Sequence, residues 1–133
     1  MGEYLQTHGE HKNVLTIPMP PETTWTCGYK DLFEKALDFV CTPGEWEPDL
    51  VIVCAGYDAL DSDELASVSL NAQDFGRMTR RLSEHLGETT SKRPALIFGL
   101  EGGYALSKFA GGGGLQDAVV ETVRALTMEI CTR

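Results

Sequence analysis

The stretch Glu47-Pro48-Asp49-Leu50-Val51-Ile52-Val53-Cys54-Ala55-Gly56-Tyr57-Asp58-Ala59 decides the fold. Pro48 has no backbone donor and fits only the edge of an element, so a new one starts after it. Leu50 to Ala55 is wholly apolar and rich in β-branched side chains, as expected for a strand buried on both faces of a parallel sheet. Gly56 ends the run, and Asp58 stands just beyond it as a carboxylate at the strand's carboxyl end. In open parallel sheets that end is where ligands bind.

Working outward, Asn71 with Asp74 three residues on makes an N-terminal cap for a helix whose buried stripe is Phe75, Met78, Leu82 and Leu86, with Gly87 as its stop. Ala95-Leu96-Ile97-Phe98 is the next strand, and it runs into Glu101-Gly102-Gly103-Tyr104. After Gly111 to Gly114 comes a last helix with Leu115, Val119, Val123, Leu126 and Ile130 on its apolar face. Upstream, Tyr29, Leu32, Phe33, Ala36, Leu37 and Val40 share one helical face, which Pro43-Gly44 closes. Val14-Leu15-Thr16-Ile17 is a short strand stopped by Pro18, Pro20 and Pro21. Three strand-helix units in a row predict an α/β fold with one parallel sheet, and no linker or repeat divides residues 1–133.

The chain has 133 residues, 20 of them acidic and 11 basic, for a formal charge of −9. That balance excludes direct nucleic-acid binding, which needs clustered Lys and Arg, and favours a basic partner. No apolar run approaches the ~20 residues of a membrane helix. Cys27, Cys41, Cys54 and Cys131 lack CxxC spacing and read as reduced thiols. With no signal-peptide or myristoylation pattern at the start, the expected location is nuclear, cytoplasmic or both.

Two loops are placed to carry chemistry. Asp58 can ligate a metal, orient a base or simply form a turn, and Asp61, Asp63 and Glu64 beside it read as a solvated acidic cluster. In the second loop, Gly102 and Gly103 let the main chain approach a ligand closely, and the Tyr104 phenol after them can stabilise an oxyanion or pack over a tight turn. Gly111 to Gly114 lack the Lys-Ser/Thr of a phosphate loop and read as a connection. His85 reads as a satisfied helix histidine, and His8 and His11 have no third ligand near them.

Taken together, Glu47 to Ala59, the later Leu100-Glu101-Gly102-Gly103-Tyr104, Ile17-Pro18-Met19-Pro20-Pro21 and the Phe75 to Leu82 helix resemble the C-terminal part of the zinc-dependent histone deacetylase family, which includes acetylpolyamine amidohydrolases. Glu101 ahead of the paired glycines is similar to the class II branch. The resemblance implies an arginase/deacetylase-like fold, a Zn²⁺ cofactor with Asp58 as one of three ligands, and Tyr104 as the hydroxyl on the developing oxyanion. It also implies that Gly102 and Gly103 wall the acyl-lysine channel. Leu65 falls where polyamine-preferring members carry a glutamate, which leans toward acetyl-lysine in histone tails or other proteins.

The family's adjacent histidine pair and its Asp-x-His segment are absent, since no two histidines here are adjacent and neither His8 nor His11 follows an Asp by two. The chain is therefore expected to be the C-terminal part of a deacetylase domain and inactive alone. Thr16, Cys54 and Ala105 replace the family's usual Asn, Ser and Asn. Two rival readings remain, a non-catalytic deacetylase-like scaffold for basic partners and an unrelated α/β domain binding a small ligand. A parallel sheet without further strands exposes an edge, so self-association through that edge is expected.

Overall fold

Strand β3 (Leu50–Ala55) and strand β4 (Ala95–Leu100) form on the two apolar runs and pair in parallel, with Leu50 opposite Ala95 and Ala55 opposite Leu100. The computed structural model describes residues 5–106 and 113–128. Ahead of β3 lie strands β1 (Gln6–His8) and β2 (Val14–Thr16) and helix α1 (Tyr29–Val40). A 3₁₀ turn over Tyr57–Ala59 follows β3, then helix α2 (Ala72–Thr89), β4 and helix α3 (Leu115–Met128). Among the described residues no helix is long and apolar enough to cross a membrane.

The apolar periods place the core as two clusters. Leu37 of α1, Cys41 directly after it, and Leu82 and Leu86 of α2 pack against Val51, Val53, Leu96 and Phe98 on one face of the β3–β4 pair. The second cluster, Tyr57, Leu60, Leu70, Ala72, Phe75, Ala105 and Ala118, sits under the carboxyl ends of the strands. Leu60 and Leu70 are fully buried and bridge to each other, closing the loop of residues 61–69 that follows Asp58. Burial of each contributes roughly 1.5–3 kcal/mol of transfer free energy, so this loop is anchored at its root. The capping box forms as the sequence predicts, with Asn71 Oδ1 accepting from Asp74 N at 3.2 Å and Asp74 Oδ2 accepting from Asn71 N at 3.0 Å.

Four expectations change. The strand at Val14 does not enter the parallel sheet but pairs antiparallel with β1, His8 opposite Val14. A tight turn with Gly9 at φ +85° and Lys12 N donating to Gly9 O at 3.1 Å makes this local hairpin available, whereas a parallel partner needs a long crossover. The parallel sheet therefore has two strands among the described residues rather than three.

Nor is β3 buried on both faces: burial alternates along it, and Leu50, Ile52 and Ile97 are exposed, with the turn of the β1–β2 hairpin and Trp46 only bordering a cleft at Leu50 and Ile52. Helix α2 runs past Gly87 to Thr89, and the Thr89 hydroxyl donates to His85 O at 2.6 Å beyond the glycine. Finally, α3 buries Ala118, Thr122 and Ala125 while Val123 is exposed. The reason is close helix approach, since a Cβ on Gly76 of α2 would lie 3.1 Å from Glu121 O of α3. Only small side chains fit at that distance. Ile130 of the expected face lies outside the described residues, as does Cys131, while Cys27, Cys41 and Cys54 are free thiols.

Candidate active site

The 3₁₀ turn of Tyr57–Ala59 begins where β3 stops, and its first residue fastens it to the core. Tyr57 is buried, its ring stacks on Phe75 with centroids 4.9 Å apart, and its phenol donates to Thr122 Oγ1 at 3.1 Å. With Tyr57 and Leu60 turned inward, Asp58 between them is left half-buried at the surface. Its carboxylate folds back over Gly56, where a Cβ would meet Asp58 Oδ1 at 2.9 Å. None of the described residues makes a hydrogen bond to that carboxylate.

The loop after β4 is locked to the first by a continuation of the ladder. Glu101 N donates to Ala55 O at 3.0 Å, and Tyr57 N donates to Gly102 O at 3.1 Å. Gly102 and Gly103 have φ of +119° and +114°, a region that side-chain-bearing residues rarely occupy. At Gly103 the space is closed as well, because a Cβ there would lie 2.6 Å from Tyr57 Cβ. Gly103 is thus buried against Tyr57 and Leu115, and the chain emerges from it with the Tyr104 side chain 64% exposed. The phenol oxygen lies about 4.0 Å from where a Gly102 Cβ would be, so the ring rests beside that glycine.

One buried carboxylate of the site escapes the sequence reading. Asp63 is not part of a solvated cluster: Asp61 and Glu64 are exposed, but Asp63 is 6% exposed. Its Oδ2 accepts from Tyr104 N at 2.6 Å and Ala105 N at 3.1 Å, and its Oδ1 accepts from Leu65 N at 3.0 Å. Burial pushes its carboxyl up, but those three backbone donors outweigh it and hold the pKa below the ordinary Asp value. The signal was indirect, namely that main chain after two glycines needs an acceptor from elsewhere. Leu65 is exposed and shares a cleft with Asp63, Tyr104 and Leu106, which brings the predicted specificity residue beside the predicted tyrosine.

Asp58 offers the hard anionic oxygen that suits zinc, on a residue that is only half-buried, which fits one ligand of a catalytic site. Such a site uses three protein ligands, and among the described residues no group of three or more His, Cys, Asp or Glu is gathered to hold a metal. His8 and His11 are exposed in and beside the hairpin. His85 is buried in α2, and its Nε2 lacks a partner among the described residues, contrary to the expected satisfied histidine. Gly111 and Gly112 lie outside the described residues. Gly114 N donates to Asp117 Oδ2 at 3.3 Å, so a carboxylate already caps the start of α3 where a phosphate would sit.

Residues 1–119 match the histone deacetylase domain. The chain is similar to an uncharacterized protein of Synechocystis sp., 40% identical over 119 residues that make up 89% of this chain and 34% of that protein. It is also similar to Histone deacetylase 10, chloroplastic, of Oryza sativa subsp. japonica, 34% identical over 127 residues that make up 93% of this chain and 25% of that protein. Histone deacetylase HDA1 of Saccharomyces cerevisiae is 36% identical over 66 residues, 50% of this chain and 8% of that protein. The chain spans about a third or less of the length of these curated relatives.

Proposed function

The chain belongs to the histone deacetylase family, its domain match running through residues 1–119, and on that premise we propose that it carries the zinc-holding and oxyanion-stabilising loops of a class II-like protein-lysine deacetylase. The observation that carries the reading is the ladder of Glu101 N to Ala55 O and Tyr57 N to Gly102 O. It holds the loop of Asp58 and the loop of Tyr104 together at the carboxyl end of one parallel pair, the end where α/β sheets bind ligands.

The proposed reaction is amide hydrolysis. Water adds to the acetyl carbonyl carbon, the carbon–nitrogen bond breaks, both protons of the water end on the lysine nitrogen, and the products are the lysine ammonium and acetate. Asp58 would supply one carboxylate ligand to zinc, with the remaining donors coming from outside the described residues. Zinc in such a site supplies Lewis-acid polarisation of the carbonyl and lowers the pKa of water. Tyr104 donates its phenolic hydrogen to the carbonyl oxygen as negative charge develops there, in an exposed position that an incoming acyl-lysine side chain can reach. Leu65 lines the approach with an apolar side chain suited to the lysine methylenes. The chain's charge of −9 suits a basic, acetylated protein tail as substrate.

The test is acetate release from an acetyl-lysine peptide by the full-length protein and its Tyr104→Phe variant. Losing one oxyanion donor lowers kcat by roughly 10²–10³-fold. Near-parental turnover by Tyr104→Phe contradicts the tyrosine's role. Tight binding of acetylated tails without any acetate release supports the scaffold reading instead.

A further inference from the structure

We infer that Asp63 is a positioning residue, a buried carboxylate that sets where Tyr104 stands by holding its backbone, and that fixes the Leu65 side of the cleft with the same side chain. The inference rests on the reading of Tyr104 as the oxyanion donor. It starts from a weakness in the loop: Gly102 and Gly103 precede the tyrosine at φ values of +119° and +114°, and glycines lose the most conformational freedom on ordering. Something must fix the chain directly after them. Asp63 Oδ2 does so by accepting from two successive amides, Tyr104 N at 2.6 Å and Ala105 N at 3.1 Å. Hydrogen bonds to a carboxylate are about twice as strong as neutral ones.

The anchor is itself anchored. Asp63 N donates to the carbonyl of Leu60 at 3.0 Å, and Leu60 is fully buried. A continuous path therefore runs from the core through Leu60 and Asp63 to the tyrosine's main chain. The other oxygen, Oδ1, accepts from Leu65 N at 3.0 Å, so the apolar wall and the phenol share one reference point. Placement matters because a misplacement of about 1 Å at a reacting centre costs on the order of 10²-fold in rate.

A merely structural role would lower stability without acting through the tyrosine, and a double-mutant cycle separates the two. In the full-length protein Asp63→Asn should lower kcat roughly 10- to 100-fold while KM moves little, since the lost interaction acts mainly in the transition state. In the Tyr104→Phe background the same substitution should cost less than about twofold, because the group it positions is already gone. Losses that multiply in full overturn the inference. Asp61→Asn, the exposed neighbour, should turn over at the parental rate.

Amide hydrogen exchange supplies the readout that needs no activity. Tyr104, Ala105 and Leu65 should lose protection in Asp63→Asn while β3 and β4 keep theirs, and unchanged protection at Tyr104 overturns the inference. If Asp63→Asn does not fold, Asp63→Glu, which keeps the charge and shifts it by one methylene, carries both arms with smaller losses expected. Should Tyr104→Phe itself turn over normally, the tyrosine's chemical role falls, and the exchange arm alone decides whether Asp63 holds that segment.

Discussion

At the carboxyl end of β3 and β4 the main chain is tied at every step: Glu101 to Ala55, Tyr57 to Gly102, Leu60 to Tyr57, and Tyr104 and Ala105 to Asp63. On the outer face of the same two strands, Leu50, Ile52 and Ile97 stand exposed. The contrast separates two sources of order. The loops that carry the candidate chemistry are held by contacts within this stretch of chain. The sheet beneath them presents an apolar surface of the kind that further protein normally covers, since parallel sheets are buried on both sides.

The largest effect on the tied end should come from Gly103→Ala. A methyl there meets Tyr57 Cβ at 2.6 Å, and φ is +114°, so strain and overpacking combine to a loss of roughly 2–4 kcal/mol in urea unfolding of the full-length protein. A loss below about 0.5 kcal/mol, the range of ordinary surface changes, would show that the two loops are not packed together as described.

A smaller effect follows from Asp63. Its folded pKa lies below the ordinary Asp value of 3.8, so its contribution is fully present above that value and fades as pH falls below it through the folded pKa. Asp63→Asn should therefore be less stable than the parent by about 1–3 kcal/mol near neutrality, with the gap closing as pH falls below 3.8. A gap that stays constant across this range assigns the loss to shape rather than charge.

The smallest stability change belongs to the open face. We expect the 133-residue chain to self-associate through the exposed sheet, whose strands have no further partners among the described residues. Ile52→Lys with Ile97→Lys should suppress that association in sedimentation velocity while changing stability by no more than about 0.5 kcal/mol per site. A clean monomer of the parent at high concentration contradicts the expectation.

What the sequence made legible was local. Helix α1 follows from its apolar period, α2 from the Asn71–Asp74 cap, and β3 and β4 from unbroken apolar runs, and each is present where expected. Asp58 and Tyr104 could be singled out as candidates because a carboxylate and a Gly-Gly-Tyr stand at strand ends, and both do lie at the carboxyl ends of β3 and β4. The misses were set by distant partners. The buried face of α3 follows from Gly76 on another helix, the pairing of β2 from a turn at Gly9, and the burial of Asp63 from amides 41 and 42 residues away. Nothing in the composition around Asp63 separates it from Asp61 and Glu64, which are exposed.

The central claim is that the residue just past β3 holds the metal of a deacetylase site. It is tested most directly by zinc content after dialysis of the full-length protein, its Asp58→Ala variant and its Asp61→Ala variant. The account predicts one zinc per chain in the parent and in Asp61→Ala, and none in Asp58→Ala. Stoichiometric zinc retained by Asp58→Ala would contradict it.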